Sequence, residues 1–130
     1  MDAAQIIAFA RQFDPQPFHL DADAATHLFF KGLVASGWHT AAISMRLVVE
    51  GDLRIAGGIV GGGGEVTWPK PVRPGDTLQV HSEVMAITPS RSRPERGMVA
   101  VRNETRNQRG EVVQIHTAHL VVPRRTAADE

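Results

Sequence analysis

One segment restricts the possible folds of this chain more than any other. Between Gly37 and Glu50, the residues Trp38, Ala41, Ala42, Ile43, Met45, Leu47, Val48 and Val49 cover most of a helical circumference. A helix at a protein surface carries one apolar stripe, so a helix apolar nearly all round is a buried one. Ser36 stands directly before it, where a serine side chain caps the free N–H groups of a helix start. The remaining elements must be arranged against this helix.

Upstream, Ile6, Phe9, Ala10 and Phe13 recur at three- to four-residue spacing, which predicts an amphipathic helix over 3–13. Asp2 and Gln5 form a loose capping box at its start, and Asp14-Pro15 ends it. Asp21 predicts the N-cap of a short helix over 22–29, stopped by Lys31-Gly32. Residues 51–64 hold seven glycines and read as a mobile connection. No Lys-Ser/Thr follows them, so they are not a P-loop.

From Glu65 onward the apolar period becomes two. Strands are predicted over 65–70, 77–88, 98–107 and 111–122, with turns at Pro74-Gly75-Asp76 and Gln108-Arg109-Gly110. Leu78, Val80, Val84 and Ala86 are expected on one face of the second strand. Short links between successive strands imply an antiparallel meander. Helices followed by strands give an α+β domain with the apolar helix lying against the sheet. Residues 1–130 are expected to form this single domain, frayed from about residue 123.

The stretch Phe13-Asp14-Pro15-Gln16-Pro17-Phe18-His19 carries the chemistry. On a continuous helix, residues five apart lie about 140° apart and cannot share a substrate. Each proline pushes the residue before it toward extended backbone, so this segment is expected to be non-helical and to let Asp14 and His19 converge. An acid and a base held near one point suit proton transfer. Against this stands the plain alternative of an Asx-type turn beside a surface histidine.

Composition removes other classes. Fourteen Lys+Arg balance fourteen Asp+Glu, whereas a protein gripping a nucleic-acid backbone is usually more basic. There is no cysteine, hence no disulfide and no thiolate catalysis. No apolar run approaches the ~20 residues of a membrane span, and the start Met1-Asp2-Ala3-Ala4-Gln5 lacks a secretory n-region, so the protein is expected in the cytoplasm. His116 and His119, three apart on a strand, point to opposite faces and do not suggest a metal site. The arginine-rich Ser90–Arg96 stretch reads first as a solvated hairpin tip and second as a contact for phosphates. Phe18 and Trp68 read as packing residues.

Four segments in order resemble the MaoC-like dehydratases and (R)-specific enoyl-CoA hydratases. The family's Asp-x-Asn-Pro-x-His motif is matched by Asp14, Gln16, Pro17 and His19, with Gln16 in place of the usual Asn. Gly32-Leu33-Val34-Ala35-Ser36-Gly37 resembles the entry to the family's central helix. Trp68 through Leu78 and Asn107 through Val113 resemble its later sheet segments, so the likeness spans about residues 5–122. Family members commonly place a strand before the first helix, whereas this chain opens almost directly at that helix.

The resemblance implies a hotdog fold, an antiparallel sheet wrapped around a long buried helix. It implies reversible hydration of a 2-enoyl thioester, linked to coenzyme A or acyl carrier protein, to a 3-hydroxyacyl thioester. Asp14 and His19 would grip a water, with Asp14 the preferred base, and the Gly37 N–H would serve as oxyanion-hole donor. Gln16, Ser36 and His39 are candidate substrate contacts. No metal or further cofactor is implied, and a homodimer is. Two alternatives remain: a hotdog thioesterase, for which Glu50 is the nearest carboxylate on the helix, and a non-catalytic acyl-thioester-binding subunit.

Overall fold

The computed structural model describes residues 1–51, 60–89 and 96–123. The expected tail beyond 123, the arginine-rich residues 90–95 and the glycine-segment residues 52–59 lie outside the described residues. Four helices come first: α1 (Ala3–Phe13), α2 (Pro17–Leu20), α3 (Ala22–Ala25) and α4 (Gly37–Glu50). Four strands follow: β1 (Val60–Thr67), β2 (Gln79–Pro89), β3 (Arg96–Arg106) and β4 (Val112–Pro123).

Local chemistry accounts for the helix ends. Asp2 and Gln5 close a full capping box on α1, each side chain accepting the other residue's N–H. The Asp21 carboxylate accepts from the N–H groups of Asp23 and Ala24, starting α3 where a cap is expected. That helix stops at Ala25, short of the predicted 29. The prolines do not keep 14–19 free of helix, as the sequence suggested. Pro17 occupies the first position of α2, where its missing N–H costs nothing and its φ is already helical.

The strands form one antiparallel sheet in the order β1-β4-β3-β2. Only β2, β3 and β4 make a meander, because β1 pairs with β4 on the far edge. The glycine segment is part strand: Gly61–Gly64 belong to β1. A Cβ at Gly64 would strike the Thr117 carbonyl oxygen, so the β1–β4 approach requires glycine there. The pairing of β2 with β3 shifts register between Val84 and Ala86, which places Met85 in a bulge. A bulge inverts the face of everything beyond it. Val84 opposes Val101 whereas Ala86 opposes Ala100, so Ala86 leaves the face predicted for it and Ile87 takes its place.

One face of the sheet carries Val101, Asn103 and Thr105 of β3, paired with Ala118, His116 and Gln114 of β4. α4 lies against it, joined by a 2.7 Å bond between the hydroxyls of Ser44 and Thr105. Thr40, Ser44 and Val48 are buried on this side of the helix. The apolar circumference is not covered all round within one chain, however: Trp38 is 60% and Val49 57% exposed. One four-stranded sheet shields one side of a helix, and its edge strand β2 is itself exposed along nearly its whole length. A second cluster, Ile6, Leu33, Ala35, Val72 and Val113, anchors α1 to the 33–36 segment.

Candidate active site

The 33–36 segment positions the site. Leu33, Val34, Ala35 and Ser36 are all buried, and backbone bonds pin them on both sides, from Val34 N–H to Phe18 O (3.0 Å) and from Ala35 N–H to Val72 O (2.8 Å). This fixes the start of α4 against α2. Asp14 caps the end of α1, its N–H donating to Ala10 O at 2.9 Å. Pro15 ends the helix, Gln16 N–H turns back to Asp14 O at 2.8 Å, and α2 then carries His19 round toward Asp14.

The two side chains meet. His19 Nε2 lies 3.2 Å from Asp14 Oδ2, the imidazole 6% and the carboxylate 17% exposed. The other ring nitrogen, Nδ1, is 2.7 Å from Val34 O. A carbonyl can only accept, so Nδ1 carries a hydrogen and Nε2 is the nitrogen turned to the carboxylate. Gln16 Nε2 donates to Asp14 Oδ1 at 2.6 Å, and Ser36 Oγ donates to Asp14 Oδ2 at 2.7 Å. Burial acts most strongly on Asp14 and pushes its pKa up, but the bonds from Ser36 and Gln16 and the charge of His19 together outweigh it. The carboxyl is held below its ordinary value.

Gly37 opens α4 one residue after its cap, and its N–H has no acceptor among the described residues. In the structure the near neighbour is Trp68: a Cβ at position 37 would lie 2.6 Å from its ring. Trp68 stands edge-on to Trp38, centroids 5.2 Å apart, and its indole N–H donates to Gln114 Oε1 at 2.9 Å. Asp14, Gln16, His19, Gly37 and Trp68 line one cleft of about 690 Å³, which Phe18, Phe29 and Phe30 extend outward.

The remaining candidates separate. Ser36 is fully buried and spent on Trp38 N–H and Asp14, so it supports the carboxylate instead of meeting a ligand. Gln16 does line the cleft, with its amide nitrogen engaged by Asp14. His39 does not line it: its ring stacks on Phe9 at 4.5 Å and its buried Nδ1 has no partner among the described residues. Burial, then the N-terminal ammonium, lowers the His39 pKa. Glu50 pairs with Arg46 at 2.9 Å at the far end of α4, roughly 20 Å from Gly37 at 1.5 Å per residue, which is out of reach of the cleft. Sequence reasoning missed the Val34 carbonyl, the Ser36–Asp14 bond and the Trp68–Gln114 bond. Ser36 alone left a signal, as a cap.

Residues 1–108 match the MaoC-like domain family. The chain belongs to that family. Among solved structures, the MaoC-like dehydratase from Rhodospirillum rubrum is 60% identical, with 97% of this chain and 86% of that one aligned and a TM-score of 0.94. The R-hydratase PhaJ1 from Pseudomonas aeruginosa is 27% identical, covering 96% of this chain and 76% of its own, with a TM-score of 0.73. The uncharacterized protein YdeM of Bacillus subtilis strain 168 is 40% identical over 108 residues, 80% of this chain and 73% of its own. The sheet and central helix are thus those of the MaoC-like hotdog fold. Among the described residues, no helix is long and apolar enough to cross a membrane.

Proposed function

We propose that this MaoC-like protein catalyses reversible hydration of a 2-enoyl thioester, carried by coenzyme A or acyl carrier protein, to the 3-hydroxyacyl thioester. The observation that carries the reading is the meeting of Asp14 and His19, 3.2 Å apart, in the cleft that also holds the start of α4. Membership of the family and the likeness to a dehydratase and an R-hydratase support the reaction class.

With Nδ1–H spent on Val34, a neutral His19 presents a lone pair at Nε2, and ionised Asp14 presents only acceptors. Two acceptors facing each other favour a molecule with two hydrogens to give. A water donating one hydrogen to each is held with its oxygen lone pairs turned away from both groups and toward a bound β-carbon. As that oxygen bonds to Cβ, its proton passes to Asp14, and the pair returns a proton to Cα; the thioester oxygen carries negative charge in between. Positioned proton transfer of this kind contributes typically 10²–10⁴ in rate. The Gly37 N–H, with roughly half a positive charge from the helix dipole, receives the developing oxyanion. Ser36 and Gln16 keep Asp14 ionised and oriented.

A homodimer in the cytoplasm completes the reading. The uncovered side of α4 at Trp38 and Val49 and the exposed apolar residues Val84, Met85 and Ile87 of β2 supply surface for a second copy.

Conjugated enoyl thioesters absorb in the ultraviolet, which makes the test direct. Hydration removes the band without freeing a thiol, and this is the expected result. Thiol release would make the protein a thioesterase. Tight binding with neither change would make it a non-catalytic acyl-thioester binder.

A further inference from the structure

The hydrogen bond from Ser36 to Asp14 is not the only tie between α1 and α4. In the first turn of α4 the ring of His39 lies flat on Phe9, centroids 4.5 Å apart and planes 5° from parallel. Phe9 in turn meets Phe13 at 5.1 Å, so a short column of rings reaches the residue before Asp14. The His39 N–H donates to Ser36 O at 3.0 Å. The stack thus joins the stretch of α1 that ends in Asp14 to the stretch of α4 that begins at Ser36 and Gly37. The imidazole is only 8% exposed, yet it takes no part in the cleft.

The surroundings of that ring favour its neutral form. Nδ1 is buried and has no hydrogen-bond partner among the described residues. A hydrogen there would be a buried donor without an acceptor, which is costly, so the neutral ring keeps its hydrogen on Nε2 and its lone pair at Nδ1. Protonation would have to place a hydrogen on Nδ1. The charged groups of the two helices are the Met1 ammonium and Asp2 at the start of α1, Arg11 and Asp14 at its end, and Arg46 and Glu50 on α4. Of these, the ammonium alone acts on the ring, and its sign opposes a second positive charge. It donates to Asp76 O at 2.7 Å, while the Asp76 carboxylate is engaged by Arg73 N–H and Gln108. The face of Phe9 attracts a cation, but burial and the ammonium outweigh it.

We propose that His39 is a positioning residue: neutral and stacked on Phe9, it fixes the end of α1, and with it Asp14, against the start of α4, and a proton on its ring loosens that contact. Asp14 then moves relative to Ser36 and His19. The inference rests on the hydratase reading only for what Asp14 does once in place. A misplacement of about 1 Å caused far from the chemistry can cost about 10²-fold in rate. A ring that touches no substrate therefore controls the reaction through the carboxylate it holds in position.

Nuclear magnetic resonance of the intact chain tests this without any substrate. As pH is lowered, the ring nitrogens of His39 and His19 report their own protonation. The Asp14 N–H, bonded to Ala10 O, is expected to shift in step with His39, below that ring's ordinary value of 6.5. His39→Phe keeps a flat ring on Phe9 and cannot ionise, so that step should vanish while any step from His19 stays. With an enoyl thioester, His39→Ala is expected to lose about 10²-fold in kcat with KM nearly unchanged. His39→Phe should recover most of that loss and keep more of its rate than wild type as pH falls. An Asp14 N–H that follows His19 alone, a His39 ring that stays neutral until the protein unfolds, or a His39→Ala effect confined to KM overturns the inference. The wild-type titration decides it even if neither variant folds. Absence of any hydration would end the hydratase reading and leave the same titration to decide the role of His39.

Discussion

The Ser36 hydroxyl donates to Asp14 Oδ2 at 2.7 Å while the same oxygen accepts the Trp38 N–H that opens α4. One atom therefore ties the carboxylate of the candidate site to the helix whose N-terminus faces it.

Removing that atom has a signed consequence. Ser36 is the strongest of the influences that lower the Asp14 pKa, so Ser36→Ala raises it. The acid limb of kcat/KM is expected to move to higher pH, since in the proposed reaction Asp14 must be ionised to take a proton. A depressed carboxyl stabilises the fold above its unfolded pKa and loses that contribution as pH falls through its folded value; in the variant that contribution is smaller. The lost cap costs about 1 kcal/mol. A pH–rate profile and denaturant melts at several pH values check both.

At position 37 the relevant neighbour is a side chain. Gly37→Ala drives a methyl group into the Trp68 ring, so activity falls although the backbone N–H remains. Trp68→Ala in the same chain opens that space and is expected to recover part of the loss. A double-mutant cycle measures the coupling, expected at about 1–3 kcal/mol for residues in direct contact. Additive effects would mean that the two do not interfere.

Gly64→Ala tests the sheet alone. The added Cβ meets the Thr117 carbonyl, and overpacking of this kind costs about 1–3 kcal/mol. Denaturant unfolding is expected to show a lower midpoint with an unchanged slope.

Glu111 offers a pH effect away from the site. Bonds from Lys70, then Asn107 and Arg109, hold its pKa at about 2 against an ordinary 4.5. A depressed carboxyl stabilises above its unfolded pKa, and that contribution disappears as pH falls through the folded value. Glu111→Gln is therefore expected to melt below wild type at pH values above 4.5, and the gap is expected to close as the pH approaches about 2. Melting temperatures of the two proteins across that range check it.

Much of this architecture is legible in local chemistry. Caps at Asp2, Asp21 and Ser36 announce helix starts through bonds made within three residues. The strands follow from an alternation that needs no partner to be seen. What is not legible depends on pairing. The Met85 bulge exists only relative to β3, so period-two reading carried Ala86 onto the wrong face. The first part of β1, residues 60–64, reads as a loop because its glycines serve a close approach to β4. The apolar surround of α4 signals burial without saying that one chain leaves Trp38 and Val49 uncovered. At the site, Asp14, Pro17 and His19 form a local motif, whereas the groups that orient them, Ser36 Oγ and Val34 O, arrive from 22 and 15 residues away.

The most direct measurement is the hydration rate of one conjugated enoyl thioester by wild type, Asp14→Asn and His19→Ala, with near-ultraviolet circular dichroism verifying that each variant is folded. Each substitution is expected to lower kcat/KM by about 10²–10⁴, and the double variant by little more than either alone, because in the proposed mechanism the two groups act on one water together. Folded variants that hydrate the substrate as fast as wild type would contradict the assignment of Asp14 and His19.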